Sequence, residues 1–404
     1  MLLMRNIVLL AVIAVSFLLY CETSKLLIEK DITDLFGADT HLYLTLATGT
    51  VNDQIQLFHP LTVYLTKAWM AVFSPIRDVI GVDNLSGAMY ALIGAGGVAA
   101  AYSAFRRLLP SSYVITCTIA YAFAFSGWYF SSIHETKIID GSIASIYIAI
   151  YLYIREKWSP TGALALTAVL IIGCFNAIVT AFLVAIPAID TFLRENYRIR
   201  KLGWVALHAM PVPLIFIALE LLIDRSIAAG ANEAEANGHF DLLLTFAALG
   251  DHGIASWLGF ALNWMLFSLA APASNADYSY AIWEDYHGYF EPSVLNYFGN
   301  GATGLFLVML CIMLATVVIY RRSDAKTASL QPLLIGLAAY SLIRSILFFV
   351  FIPAEALLYT PPVILAHLLI LFCFFIYSDA PYKKPVLYTF VAALFISNMR
   401  FLFG

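Results

Sequence analysis

Residues 59–73 read His59-Pro60-Leu61-Thr62-Val63-Tyr64-Leu65-Thr66-Lys67-Ala68-Trp69-Met70-Ala71-Val72-Phe73. Where this stretch is placed decides the architecture of the chain. A bilayer crossing needs ~20 mostly apolar residues, and Leu61–Phe73 falls short. Read as a span, it moves Arg106-Arg107 to the outer side and breaks the charge pattern. Read as an interfacial helix, it leaves Arg5, Arg106, Arg107, Arg155, Lys157, Arg194, Arg198, Arg200, Lys201, Arg321, Arg322, Lys326, Lys383 and Lys384 together. Those are 14 of the 22 Lys and Arg residues, gathered in short loops. The positive-inside rule makes that side cytoplasmic, so the interfacial placement is adopted.

The rest of the chain is more strongly apolar. The 404 residues are 62% hydrophobic and 12% charged, with mean hydropathy +0.85 and net charge −4. Soluble chains are nearer half apolar and a quarter charged. A soluble enzyme, a disordered chain and a nucleic-acid binder are therefore excluded. Long unbroken apolar runs also argue against a transmembrane β-barrel. Runs fall at 7–20, 85–105, 113–130, 143–154, 160–175, 177–193, 203–223, 302–320, 332–352, 358–377 and 386–402. The expected fold is an all-α polytopic membrane protein of about eleven transmembrane helices, with interfacial helices in outer loops. The first run is read as an uncleaved signal anchor, with the N-terminus inside and the C-terminus outside. The chain forms a single transmembrane domain, 1–404, with outer loops at 21–84, 131–142 and 224–301. No repeat and no soluble domain is visible. The five cysteines show no CxxC spacing and read as apolar fillers.

The outer side collects 20 of the 26 acidic residues, in 21–84, 131–142, 224–301 and 353–357. Acidic residues hardly influence topology. Their crowding reflects either solvation of large loops or an external active site. The first loop contains Asp39-Thr40-His41-Leu42-Tyr43-Leu44-Thr45-Leu46-Ala47-Thr48-Gly49. Asp39 opens an amphipathic helical stretch, and capping that helix is one reading of it.

Asp39, Tyr43, Ala47 and Gly49, followed by His59-Pro60-Leu61, resemble the GT-C glycosyltransferases. These integral membrane enzymes use polyprenyl-phosphate-linked sugars, and the likeness is to protein mannosyltransferases and aminoarabinose transferases. The layout is similar too: one span, a long outer loop, then paired spans. The resemblance is clearest over residues 1–160. It implies a GT-C-like fold and an inverting transfer of a sugar from a polyprenyl-phosphate donor. The acceptor would be a glycan, lipid or protein at the non-cytoplasmic face. Asp39 would be the general base, and Lys or Arg would neutralise the departing phosphate. The donor tail would lie in a groove between spans.

Further candidates surround this scheme. Lys67 lies eight residues after His59 in sequence and can share its helical face, so it reads as a phosphate contact or as a snorkelling lysine. Tyr43 and His59 are candidate substrate contacts. The loop Ser131-Ser132-Ile133-His134-Glu135-Thr136-Lys137-Ile138-Ile139-Asp140-Gly141-Ser142 carries four ionisable groups. Glu135 and Asp140 are second-acid candidates, Lys137 a phosphate contact and His134 a substrate contact. Asp140 alternatively caps the next helix. In 224–301, Trp283 and Tyr286 offer a sugar platform or an aromatic belt, and 242–269 spans, re-enters or lies on the surface. Arg344, inside an apolar run, is functional by default. It would hold the phosphate or pair with Glu355, near Tyr359 in a proline-broken segment.

No metal site is read, since no tight ligand spacing exists. No cofactor is required. A divalent ion bridging the lipid phosphate is the one metal role considered, and it is not favoured. The expected location is a bacterial inner membrane, with the site facing the periplasm amid membrane lipids. Two rivals stand. A polysaccharide polymerase or ligase would want an arginine-rich outer loop, whereas 224–301 holds only Arg225. A secondary transporter or flippase would want repeats and ionisable groups deep in the membrane.

Overall fold

The structure is a computed structural model that describes residues 2–30, 40–48, 59–195, 203–228, 254–272, 301–320, 325–351 and 358–403. Every regular element among these is helical. The chain begins with α1 (Leu2–Glu29), α2 (Thr40–Thr48), α3 (Pro60–Val72) and α4 (Ser74–Ile80). Next come α5 (Val82–Leu108), α6 (Val114–Ala122), α7 (Phe125–Ser131), α8 (Lys137–Ile154) and α9 (Pro160–Asn176). A 3-10 turn, Ile178–Val184, leads into α10 (Ala185–Arg194), α11 (Gly203–Ala209), α12 (Pro211–Ala228) and α13 (Ile254–Leu269). The remainder is α14 (Gly301–Ile319), α15 (Ala325–Phe351), a 3-10 turn at Pro361–Val363, α16 (Ile364–Ile376) and α17 (Lys383–Phe403).

Among the described residues, α1, α5, α8, α14, α15 and α17 contain six segments long and apolar enough to cross a membrane. The pair α6 and α7 makes a seventh if its 56° bend is one broken span. The protein is thus an all-α polytopic integral membrane protein. Local signals set several boundaries. Pro60 and Pro160 open α3 and α9, where a missing N–H costs nothing. The Ser159 side chain caps α9 by accepting from Gly162 N at 3.1 Å. α1 continues to Glu29, beyond the apolar run that ends at Tyr20, so the first loop begins later than residue 21. A helix ends where its backbone bonds end, not where its side chains turn polar. Lys25 pairs with Glu22 at 2.8 Å one turn away.

The run 113–130 is not one straight helix. It breaks at Phe123-Ala124, where Ala124 is extended. In an apolar interior the freed carbonyls need donors. Tyr20 Oη donates to Ala122 O at 2.7 Å, and Asn398 Nδ2 donates to Phe123 O at 2.7 Å. Asn398 also donates to Leu269 O at 2.9 Å and accepts from Ala271 N at 2.8 Å. One asparagine of α17 therefore seals both this break and the end of α13.

The bundle has two chemically distinct ends. At one, Arg107 lies 5.8 Å from the Tyr153 ring, and Tyr377 Oη donates to Leu108 O at 2.5 Å. Arg155 grips Asp190 through Nε at 2.6 Å and Nη2 at 2.8 Å, while Nη2 also reaches Ser329 O at 2.8 Å. Lys383 caps the end of α16 by donating to Ile376 O. This is the basic end. The starts of α3, α5 and α8 and the ends of α9 and α15 meet at the other.

Candidate functional site

The segment read as the outer loop 131–142 is shorter than expected and is not wet. Only Ser132–Thr136 lies between α7 and α8, and Ser131–Ser142 are all buried. Lys137 and Asp140 sit in the first turn of α8. Asp140 is therefore not the helix cap. Thr136 holds that position, without a side-chain cap bond. His134 faces the start of α5. Its Nε2–H donates to Asp83 O at 3.2 Å, and its ring meets the Tyr90 edge at 5.8 Å. Burial lowers the His134 pKa below the usual imidazole range, partly offset by the Asp83 carbonyl. Glu135 is buried too, with Oε1 accepting from Thr136 N at 2.7 Å and Thr136 Oγ1 at 3.0 Å.

Asp140 is 2% exposed. Its Oδ1 accepts from Asn176 Nδ2 at 2.8 Å, while its Oδ2 has no hydrogen-bond partner among the described residues. Asn176 ends α9, where Ala177 turns extended. This break places Asn176 between α8 and α3. Its Oδ1 accepts from Thr62 Oγ1 at 2.7 Å, and its carbonyl accepts from His59 Nδ1 at 2.5 Å. Tyr43 of α2 meets the His59 ring edge-on at 6.2 Å. The start of α3 is thus pinned to α8 through Asn176.

Two cations contact an aromatic stack beside Asp140. Lys137 Nζ lies 4.4 Å from the centre of the Tyr359 ring. Tyr359 stacks on Phe348 at 4.0 Å, and the Arg344 guanidinium lies 5.2 Å from the Phe348 ring. Gly141 makes this possible. A Cβ there would lie 2.9 Å from Pro361 Cβ and 3.1 Å from its backbone carbon, so only glycine lets the 358–363 segment lie against α8. Both cations act electrostatically on Asp140. Arg344 is 1% exposed and donates from Nη1 to Val179 O at 3.3 Å. Among the described residues its Nε and Nη2 have no hydrogen-bond partner and it makes no ion pair. An unpaired, poorly hydrogen-bonded charge in a protein interior is costly. An oxyanion would satisfy those nitrogens.

The structure thus brings together His59, Tyr43, Asp140, Lys137, Arg344 and Tyr359. Glu135 and His134 lie in the adjoining turn, with Tyr90 beside both. Lys67 is not gathered in. The inward face of α3 is Thr62, Val63, Thr66 and Met70, and Lys67 is on the exposed face. Asp39, Trp283, Tyr286 and Glu355 lie outside the described residues, as does all of 242–253. Asn176 and Thr62 were missed by sequence reasoning. Asn176 stood at the edge of an apolar run, and only the break after it signals a role. Among the described residues no group of three or more His, Cys, Asp or Glu is placed to hold a metal. An open, mostly apolar groove of about 410 Å³ lies between α5 and α8, lined by Gly96, Ser103, Ile146 and Tyr153 among others. It lies toward the basic end, away from this cluster. No protein-family model matches the chain, and no curated protein matches it.

Proposed function

We propose that this protein is a GT-C-like membrane glycosyltransferase that takes a sugar from a polyprenyl-phosphate donor. The observation that carries the reading is Arg344, a fully buried guanidinium with two unfilled donor nitrogens, next to Lys137 and Asp140 at one end of the bundle. A lipid phosphate is both the anion such a group lacks and a ready leaving group. In the proposed reaction the acceptor oxygen or nitrogen attacks the anomeric carbon from the face opposite the phosphate. The new glycosidic bond forms as the C–O bond to phosphate breaks, inverting that carbon. A carboxylate takes the acceptor's proton. Asp39 is the base proposed from the family resemblance, with Asp140 or Glu135 as the second acid. Lys137 and Arg344 hold the departing phosphate. Lys67, on the exposed face of α3, meets the lipid headgroup first. Tyr43, His59, His134 and Tyr359 complete the pocket, with Trp283, Tyr286 and Glu355 on the acceptor side. The scheme needs no cofactor. The proposed topology has eleven spans, N-terminus in the cytoplasm, and the acidic end in the periplasm of a bacterial inner membrane.

The test is sugar transfer by the purified protein from a panel of polyprenyl-phosphate sugars, with Asp39→Asn and Asp140→Asn alongside. Release of polyprenyl phosphate that is lost in Asp39→Asn supports the reading and its base. Release that survives there but is lost in Asp140→Asn moves the base to α8. Turnover of lipid-linked oligosaccharides alone favours a polymerase or ligase. No release from any donor, with solute-dependent uptake in vesicles, favours a transporter and overturns the reading.

A further inference from the structure

Asn176 touches four groups on two helices and their N-caps, α3 with His59 and α8 with Thr136, and the chemistry of one of them fixes its orientation. Thr136 O lies 3.5 Å from the Asn176 side-chain nitrogen. A carbonyl only accepts, so the amide must turn its NH₂ toward Thr136 and hence toward Asp140. Turned the other way, its oxygen would face the Thr136 carbonyl. The Thr62 hydroxyl reinforces the choice by donating to Asn176 Oδ1 at 2.7 Å. With the amide locked, Asp140 Oδ1 always sees a donor. It is held as an acceptor and cannot carry a proton toward Asn176. Oδ2 is left without a hydrogen-bond partner among the described residues, although Asp140 is 2% exposed and Asn176 wholly buried.

We infer that Asn176 is the positioning residue of this site, holding one oxygen of Asp140 so that Oδ2 alone is presented to substrate. This rests on the proposed transferase reading for its substrate, but not for its geometry. Because the His59 ring and the Thr62 hydroxyl also bind Asn176, the orientation of Asp140 is tied to the seating of α3. That helix carries the exposed Lys67, so a lipid headgroup that shifts α3 also acts on the Asp140 carboxylate. The acid is therefore set correctly only when the interfacial helix is docked.

The experiment is infrared difference spectroscopy of the full-length protein in detergent. Subtracting the spectrum of Asp140→Asn isolates the Asp140 carboxylate stretch. That band is compared among wild type, Asn176→Ala, Thr62→Val and Thr62→Ser. Melting temperatures report whether each variant folds. The expected result is a shifted band in Asn176→Ala, a smaller shift in Thr62→Val, and the wild-type band in Thr62→Ser, which keeps the hydroxyl. In the transfer assay Asn176→Ala should lose at least tenfold in kcat, with KM for the lipid donor changed less than threefold. Thr62→Ser should restore what Thr62→Val loses. An unshifted Asp140 band in folded Asn176→Ala overturns the inference, as does a loss confined to KM. If Asn176→Ala does not fold, the Thr62 pair decides: equal bands in Thr62→Val and Thr62→Ser overturn it. If wild type transfers no sugar but the bands shift as expected, the positioning stands and the transferase reading falls.

Discussion

Arg344 illustrates how a single side chain separates stability from function. A buried guanidinium with two unsatisfied nitrogens is a burden on the empty protein. Replacing it by an unbranched apolar residue removes that burden without opening a large cavity. Arg344→Met is therefore expected to melt at or above the wild-type temperature in detergent. Its kcat/KM for a lipid-phosphate donor should fall at least about thirtyfold, from the ~2–5 kcal/mol typical of a buried charged partner. A marked drop in melting temperature would mean that Arg344 is structural. His134 makes a second prediction, through pH. Its folded pKa lies below its unfolded value because burial disfavours the imidazolium. Folding stability is then complete above the unfolded pKa of about 6.5 and falls as pH drops through it, since the unfolded chain binds the extra proton. Nε2–H is engaged by Asp83 O, and Nδ1 is buried with no partner for a second proton. Thermal melts between pH 8 and pH 5 should show this loss in wild type and a flatter profile in His134→Gln.

At the level of helices, α15 is the element whose placement matters most, because it delivers Arg344. It is held by two contacts far from the site. Arg155 clamps Asp190 of α10 and the Ser329 carbonyl of α15 together. One turn or more further on, Gly336 lies so close to α10 that an added Cβ would sit 2.8 Å from Ile186 O. Asp190→Leu leaves the Arg155 charge buried and unpaired, and should cost ~3–5 kcal/mol. The double variant Arg155→Met with Asp190→Leu should recover most of that. Denaturation of the three proteins in detergent measures the coupling, and additive losses would show that the pair is not a clasp. Part of this element was legible beforehand. The charge of Arg344 inside an apolar run already marked it. The clasp was not, because Arg155 and Asp190 are separated by all of α9 and a 3-10 turn, and nothing in their local sequence pairs them. The bend between α6 and α7 was equally hidden. No proline or polar residue marks Phe123-Ala124, and the break survives only because Tyr20 and Asn398 donate to its carbonyls from distant helices.

Across the molecule, the separation of charge is the strongest regularity. Basic side chains gather where Arg107, Arg155 and Lys383 lie, and the buried acid cluster forms at the opposite end. In the proposed orientation, single cysteines at Lys157 and Lys384 react with a membrane-impermeant maleimide only after the bilayer is opened. A cysteine at Asp78, on the exposed helix α4, reacts in intact cells. The reverse pattern, with Lys157 and Lys384 reactive in intact cells and Asp78 protected, would overturn the topology, as expected if Leu61–Phe73 crosses the membrane.

What the sequence determined by itself was the class of protein, its helical make-up and the distribution of charge. Transfer of side chains into a bilayer is close to additive along the chain, so long apolar runs announce themselves without tertiary knowledge. The same holds for the helix Pro60–Val72, whose opening proline is a local signal. Tertiary structure alone decided which polar groups converge. Asp140 as a buried acid rather than a cap, Lys67 as an outward lysine, and Asn176 as the link between α3 and α8 all depend on helix rotation and on breaks in the chain. A side chain's partners are set by where other helices stand, and that is a property of the packed bundle, not of the residues beside it.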